Sequence, residues 1–445
     1  MVPAVGTEGV SLARGTFLGV RADVVTAIAT IAVSIVVSRA LGPENRGIFF
    51  LAFTAATLIS IVGNFGMNTA AIVYAANKEL PLREIHGVAL AFSAVLGMIT
   101  AGLLLPFEEF WTSTVLKGLD TTMLVLLAAG VPALLYAQVG VAALAGLGRI
   151  PAVSWIRIGV QVGTMALVIP VAIVTEDPRW TLGAWLVIAV GFALAIGSYM
   201  TLRAAPPSLP SAATVRELLS FAGRGYVGSI AYQGFLRIDL FFIGARSGPA
   251  QVGVYSLSTV MAERISMVGQ ALYAASAAQI GSSEREQAAR LTAQLVRILL
   301  LALIPTAVVL GLLSIPGIPL VFGDDFSSAV VPFVLLLPGT VSLTLWAPVS
   351  LLIISNLRRP GTTAIIMGSA LLASLPLYYW MILWLDMSGA AIASSIVYMS
   401  VLAGGVAVMT RATSVDLADL APRRADVGQV VAIGRSALRS LRRAG

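Results

Sequence analysis

No cysteine occurs anywhere in the 445 residues. That excludes a disulfide framework, a thiolate metal site and a cysteine nucleophile. A single histidine, His86, excludes a multi-histidine metal centre; its place at a helix start gives the expectation of a solvated loop residue. Charge is scarce as well. Only 11% of residues are charged, against roughly 25% in soluble domains. No Walker loop is present, and no two carboxylates share a helical face. The glycine-rich stretch 223–234 falls inside an apolar segment, where it reads as a bend or close-packing site rather than a phosphate cradle. No catalytic constellation, cofactor or metal is expected, and a transporter is favoured over an enzyme. What is abundant is apolar surface: 58% of residues, with a mean hydropathy of +0.94. The chain is therefore an integral membrane protein. Its net charge of +7 could suit nucleic acid, but the basic residues sit in short loops between apolar segments, so no nucleic-acid partner is expected.

One stretch occurs twice. Residues 42–63 and 248–269 align without a gap, and nine of the 22 positions are identical. Gly42, Pro43, Gly47, Leu51, Ala56, Ile59, Ser60, Val62 and Gly63 each meet the same residue 206 positions later. Pro132 meets Pro338 at the same offset. An internal period this long implies a duplicated half-molecule.

A spanning helix takes ~20 apolar residues, and about twelve such segments fit between residues 17 and 410. The fold class expected is thus all-α and polytopic, with two six-helix repeats. Six is even, so the repeats enter the membrane from the same side and run parallel. The expected domains are an N-terminal lobe (13–203), a Pro/Ser/Ala-rich linker (204–215), a C-terminal lobe (216–410) and a basic tail (411–445). No cleavable signal peptide is evident. Lys78, Arg83, Arg149, Arg203, Arg216, Arg285, Arg290, Arg358 and Arg359 fall in loops on the N-terminal side, and Glu108, Glu109, Asp120, Glu176, Asp177, Asp324, Asp325 and Asp386 in the opposite loops. That asymmetry puts both termini in the cytoplasm. In the tail, Val427, Val430, Val431, Leu438 and Leu441 recur at helical spacing beside Arg435, Arg439, Arg442 and Arg443. Two readings stand: a basic segment that reinforces topology, or an amphipathic helix on the inner leaflet.

Charges inside spans are costly, ~2.5–3.5 kcal/mol each on the insertion scale, and so call for a partner or water. Arg21, Asp23, Arg157, Arg224, Arg237, Asp239, Glu263, Arg264 and Arg297 are such residues. Arg21, Arg157 and Arg224 lie close enough to helix ends to snorkel. Arg237 and Asp239 are two apart and need different partners. For Glu263 the candidates are Arg224, Arg237 and Arg297. In the second segment Thr57, Ser60, Asn64 and Asn68 share one helical face, and 206 residues on the first three become Glu263, Ser266 and Gln270. This polar stripe is either packing glue or the wall of a solvated cavity. The charge on Glu263 favours the cavity.

The run Ser38-Arg39-Ala40-Leu41-Gly42-Pro43 followed by Gly47-Ile48-Phe49 resembles the first-helix exit of polysaccharide-biosynthesis flippases of the multidrug/oligosaccharidyl-lipid/polysaccharide exporter superfamily. Arg237-Ile238-Asp239, Gly244, Gly248 and Gly253-Val254-Tyr255 resemble the same family in the second half. Arg46 departs from it, standing where the family often has an aromatic residue. The resemblance, spanning about 13–410, implies a MATE-like pair of six-helix lobes around a central cavity. It implies transfer of a polyprenyl-diphosphate-linked oligosaccharide from the cytoplasmic to the outer leaflet of the bacterial inner membrane by alternating access. Glycosyltransferases or a polymerase are the implied protein partners. Arg21, Arg157, Arg224, Arg237 and Arg264 then become candidates for the diphosphate, because guanidinium forks bind such groups bidentately. Asp23, Asp239 and Glu263 become candidate coupling or gating groups. Three rivals stay open: a lipid II flippase, which usually carries two further C-terminal helices; a multidrug cation antiporter; and a non-transporting scaffold for glycosyltransferases.

Overall fold

The computed structural model describes residues 6–77, 79–203 and 206–429, so the expected amphipathic segment of the tail lies outside the described residues. The same holds for the side chains of Arg21, Asp23 and Arg224. The chain is 89% helical, with no strand among the described residues. It forms two compact units: Met1–Gln233 with Ser247–Gly253, and Gly234–Arg246 with Val254–Gly445.

The first unit holds α1 (Gly6–Gly63), α2 (Met67–Asn77), α3 (Leu82–Leu104), α4 (Glu108–Ser113), α5 (Thr121–Gly146), α6 (Ile150–Thr175), α7 (Pro178–Arg203) and the first part of α8 (Ala212–Ser247). The rest of α8, most of α9 (Pro249–Glu263), and then α10 (Ile265–Ser282), α11 (Arg285–Phe322), α12 (Val330–Leu351) and α13 (Pro360–Ala412) make the second. Eight stretches among the described residues are long and apolar enough to cross a bilayer. Two of them contain a turn. The stretch Ile28–Gly63 bends at Gly42 (φ 68°, ψ 177°), and α13 bends at Asp386 (φ 46°, ψ −131°). Counting each of these as two crossings, and adding the charged α8 and the α9–α10 pair, recovers twelve. The turn at Gly42 follows from the sequence: glycine takes the positive φ, and Pro43 starts the next helix where its missing N–H has no cost.

Water exclusion cannot hold helices together in lipid, so close packing and polar contacts do. The first unit's core gathers Met67, Ile85, Leu135, Ile196 and Leu218, all almost fully buried. Its most crowded point is the meeting of the two duplicated stretches. A methyl group on Gly47 would overlap the Pro249 carbonyl, and one on Gly253 would overlap the Pro43 carbonyl. Pro249 is Pro43 moved on by the repeat, so the contact is reciprocal. Arg46 closes it: its guanidinium donates to the Gly253 carbonyl and lies 5.6 Å from the Phe50 ring centre. A cation thus fills the place where an aromatic residue was expected, and uses a neighbouring ring as partner.

His86 differs from its expectation. It is 2% exposed, and its Nε2 lies 2.6 Å from the Tyr136 hydroxyl. The chain after α7 covers this corner: Ser208 N–H donates to the Arg83 carbonyl (3.1 Å), and Thr214 donates to Glu84 (2.5 Å). Gly87 faces the Ser208 carbonyl so closely that no side chain fits. In the second unit the chain after α13 does the same to α11. Ser414 donates its N–H (3.0 Å) and hydroxyl (2.5 Å) to Glu286. Those two donors hold the Glu286 carboxyl below its usual range.

Candidate functional site

In the first unit the polar stripe sits at a broken helix. Asn64, Phe65 (φ 47°) and Gly66 (φ 78°) separate α1 from α2. A break frees backbone groups that lipid cannot satisfy, and side chains take them up. Tyr226 donates to the Ile61 carbonyl (3.1 Å), and Asn64 accepts from the Asn68 N–H (3.1 Å) while donating to its side chain (2.9 Å). Ser60 donates to the Thr57 carbonyl (2.8 Å) and accepts from Gln138 (3.0 Å). Thr57 donates to Phe53 (2.8 Å). Ser60 and Asn64 are buried; Thr57 and Asn68 are half-buried. All four lie together, and every bond is to a neutral group.

The second unit uses charge instead. Arg237 forms a two-pronged pair with Glu263, at 2.6 and 3.1 Å. Of the three candidate partners for Glu263, Arg237 is the one the fold supplies; Arg297 turns away to Asp426 (2.8 Å). The pair is only half-buried, its side chains 30% and 39% exposed. It stands where α9 stops and α10 begins, so the repeated helix is interrupted here as well. Arg264 begins α10, and its Nε is buried without a hydrogen-bond partner. Ser266 accepts from Thr344 (2.9 Å), while Gln270 is exposed. Arg157 is exposed on α6, in the first unit, and the fold does not bring it to this group.

Asp239 points elsewhere, as its spacing from Arg237 requires. It is 1% exposed and accepts from Tyr255 (2.7 Å), the Leu240 N–H (2.8 Å) and Ser394 (3.3 Å). Behind Ser394 stands Tyr378 (3.0 Å), whose hydroxyl also donates to the Phe235 carbonyl (3.2 Å). Sequence reasoning singled out the carboxylate and missed this hydroxyl cage. A signal existed for one member: Phe49 and Tyr255 are repeat partners that differ by the hydroxyl now bonded to Asp239.

The arrangement provides a membrane-embedded guanidinium fork on an exchangeable carboxylate, with a second, sealed carboxylate on the same helix. A family model described as polysaccharide biosynthesis protein matches residues 12–280. The chain belongs to that family. Among solved structures, this polysaccharide biosynthesis protein is similar to the lipid II flippase MurJ in an inward closed conformation. The TM-score is 0.72 at 12% identity, covering 91% of this chain and 89% of that one. An inward-facing multidrug resistance MATE transporter of the MOP superfamily gives a TM-score of 0.66 at 18% identity, covering 87% and 94%. An outward-facing one gives 0.57 at 19%, covering 90% and 94%. No curated protein matches by sequence. At these identities the likeness establishes the fold: the all-helical architecture of MOP-superfamily transporters.

Proposed function

We propose that the protein is a flippase that carries a polyprenyl-diphosphate-linked oligosaccharide from the cytoplasmic to the outer leaflet by alternating access. The observation that carries this reading, beside family membership, is the Arg237–Glu263 fork. A carboxylate and a phosphate both offer paired oxygens to a guanidinium, so a diphosphate can take the place of Glu263 on Arg237. Half exposure leaves the fork reachable, while its position within a span makes an unpaired charge costly in either state. Arg21, Arg157, Arg224 and Arg264 supply further cationic positions along the route. Glu263, once displaced, is the coupling group, and Asp239 and Asp23 are the secondary candidates. The neutral stripe of Thr57, Ser60, Asn64 and Asn68, with Ser266 and Gln270, lines the path for the sugar. The loop charges support both termini in the cytoplasm of a bacterial inner membrane. Glycosyltransferases or a polymerase act before and after transfer.

The test is depletion in cells, followed by assay of which leaflet holds the lipid-linked oligosaccharide. Accumulation on the cytoplasmic side is expected, with rescue by the wild type, partial rescue by Arg237→Lys and none by Arg237→Ala. Lys keeps the charge but loses the fork. An unchanged leaflet distribution, or full rescue by Arg237→Ala at normal expression, overturns the reading. Lipid II bears the same diphosphate, and accumulation of that precursor instead would identify the substrate as a peptidoglycan one.

A further inference from the structure

The chain beyond α13 divides into two parts of opposite electrostatic character. From Ala412 to Gln429 it forms a strap along the start of α11. Arg285 donates to the Ala412 carbonyl, Ser414 binds Glu286, and Val415 is buried. A short 3-10 turn, Leu417–Leu420, follows, closed by a reciprocal Asp416–Asp419 cap. Arg297 then holds the strap twice, at Asp426 (2.8 Å) and at the Asp419 carbonyl (2.7 Å), and Gln294 reaches Gln429 (2.9 Å). Every acid of the tail is engaged here: Asp416 in the cap, Asp419 with Arg423 (2.6 Å), Asp426 with Arg297. Burial pushes the Asp426 carboxyl upward, but the Arg423 N–H and Arg297 outweigh it, so the carboxyl sits below its usual range. Its bonds are therefore intact at neutral pH and lost only as pH falls through that lowered value.

The strap also fixes a height. The helix α11 has 38 residues, ~57 Å at 1.5 Å each, whereas the hydrocarbon core is ~30 Å thick. The run from Ile298 to Phe322 has no charged residue and spans the core alone; Arg285–Arg297 therefore projects beyond it. The strap starts at the projecting end and finishes at Gln294 and Arg297, the edge of the core. The residues that follow begin at headgroup level. They include Val430, Val431, Leu438 and Leu441, with Arg435, Arg439, Arg442 and Arg443 and no acid. A tail that merely reinforced topology would need neither the apolar spacing nor delivery to that level.

We infer that residues 427–445 are a docking element for anionic phospholipid, seated on the bilayer surface by the strap. Apolar positions enter the headgroup boundary while the arginines meet lipid phosphate, the pattern of surface-bound amphipathic segments. Only the choice of leaflet depends on the topology proposed above; the binding does not.

The absence of cysteine makes the test direct. Leu441→Cys in the full-length protein carries a polarity-sensitive fluorophore, and the protein is reconstituted into phosphatidylcholine vesicles with or without phosphatidylglycerol. A blue-shifted emission is expected with phosphatidylglycerol alone, lost at about 1 M salt, where the screening length is about 3 Å. Replacing Arg435, Arg439, Arg442 and Arg443 together by Gln should remove the lipid dependence. Asp426→Asn, which frees the strap, should weaken it without abolishing it. Equal emission in both vesicle types overturns the inference. So does a shift that requires added soluble protein, which would assign the tail to a protein partner. Neither readout involves transport, so the flippase reading stands or falls separately.

Discussion

The two copies of the duplicated helix keep one scaffold and fill it with different chemistry. Ser60 accepts from Gln138 at 3.0 Å, and Ser266 accepts from Thr344 at 2.9 Å. Both members of the second pair stand 206 positions after those of the first, so the repeat preserves a bond between helices although one partner changed from amide to hydroxyl. Around that shared bond the copies part. Where the second unit has Arg237, Asp239, Tyr255 and Glu263, the first has Ile31, Val33, Phe49 and Thr57. The charged pair and the sealed carboxylate thus belong to one copy alone. The scaffold is the ancestral property, and the ionic chemistry was added to one half of it.

Three experiments break or sharpen this contrast. The largest effect should come from what the copies share most closely, the reciprocal contact at Gly47 and Gly253. Gly47→Ala and Gly253→Ala each push a methyl group into backbone, and each should cost about 3 kcal/mol, the upper range for overpacking. Unfolding in detergent measures both; a wide difference between them would deny the symmetry. Next is Glu263→Thr, which installs the first copy's residue and leaves the half-buried Arg237 without its acceptor. A loss of about 2 kcal/mol is expected, and folded protein that no longer transports would place Glu263 in coupling rather than in a structural lock. The smallest effect is the shared bond itself. Double-mutant cycles on Ser60–Gln138 and Ser266–Thr344 should give equal couplings of about 0.6 kcal/mol, the average for such bonds in membranes. Unequal values would mean that only one copy relies on it.

How much of this could be read beforehand follows from the reach of the signals. The spans and both turns at Gly-Pro were legible, because glycine and proline act locally. So was the polar stripe, since helical spacing alone puts Thr57, Ser60, Asn64 and Asn68 on one face. The partner of Glu263 was narrowed to three arginines but not chosen, because the choice depends on how helices pack 26 residues apart in sequence. The cage on Asp239 was illegible for the same reason: Ser394 comes from 155 residues away. His86 misled because its neighbours on α3 look like a loop end; the chain after α7 folds back over that corner. Arg297 reads in sequence as an intramembrane charge, yet its partner lies in the tail.

That fold-back occurs in both units. After α7, Thr214 reaches Glu84 near the start of α3; after α13, Ser414 reaches Glu286 near the start of α11. The offsets between these pairs, 200 and 202 residues, differ from the main period of the repeat, which hid the correspondence in the alignment. Its consequence is entropic. A connector left loose in water would let the helix that follows sample a volume set by its length, at a cost that grows only slowly with added residues. A connector bonded at Arg83 and Glu84 has already lost that freedom, and the entry point of α8 is set by those bonds instead of by the length of chain before it. Residues inserted around 204–205 should therefore act as slack that changes little, while any side chain at Gly87, where the connector is seated, undoes the fixing at its root.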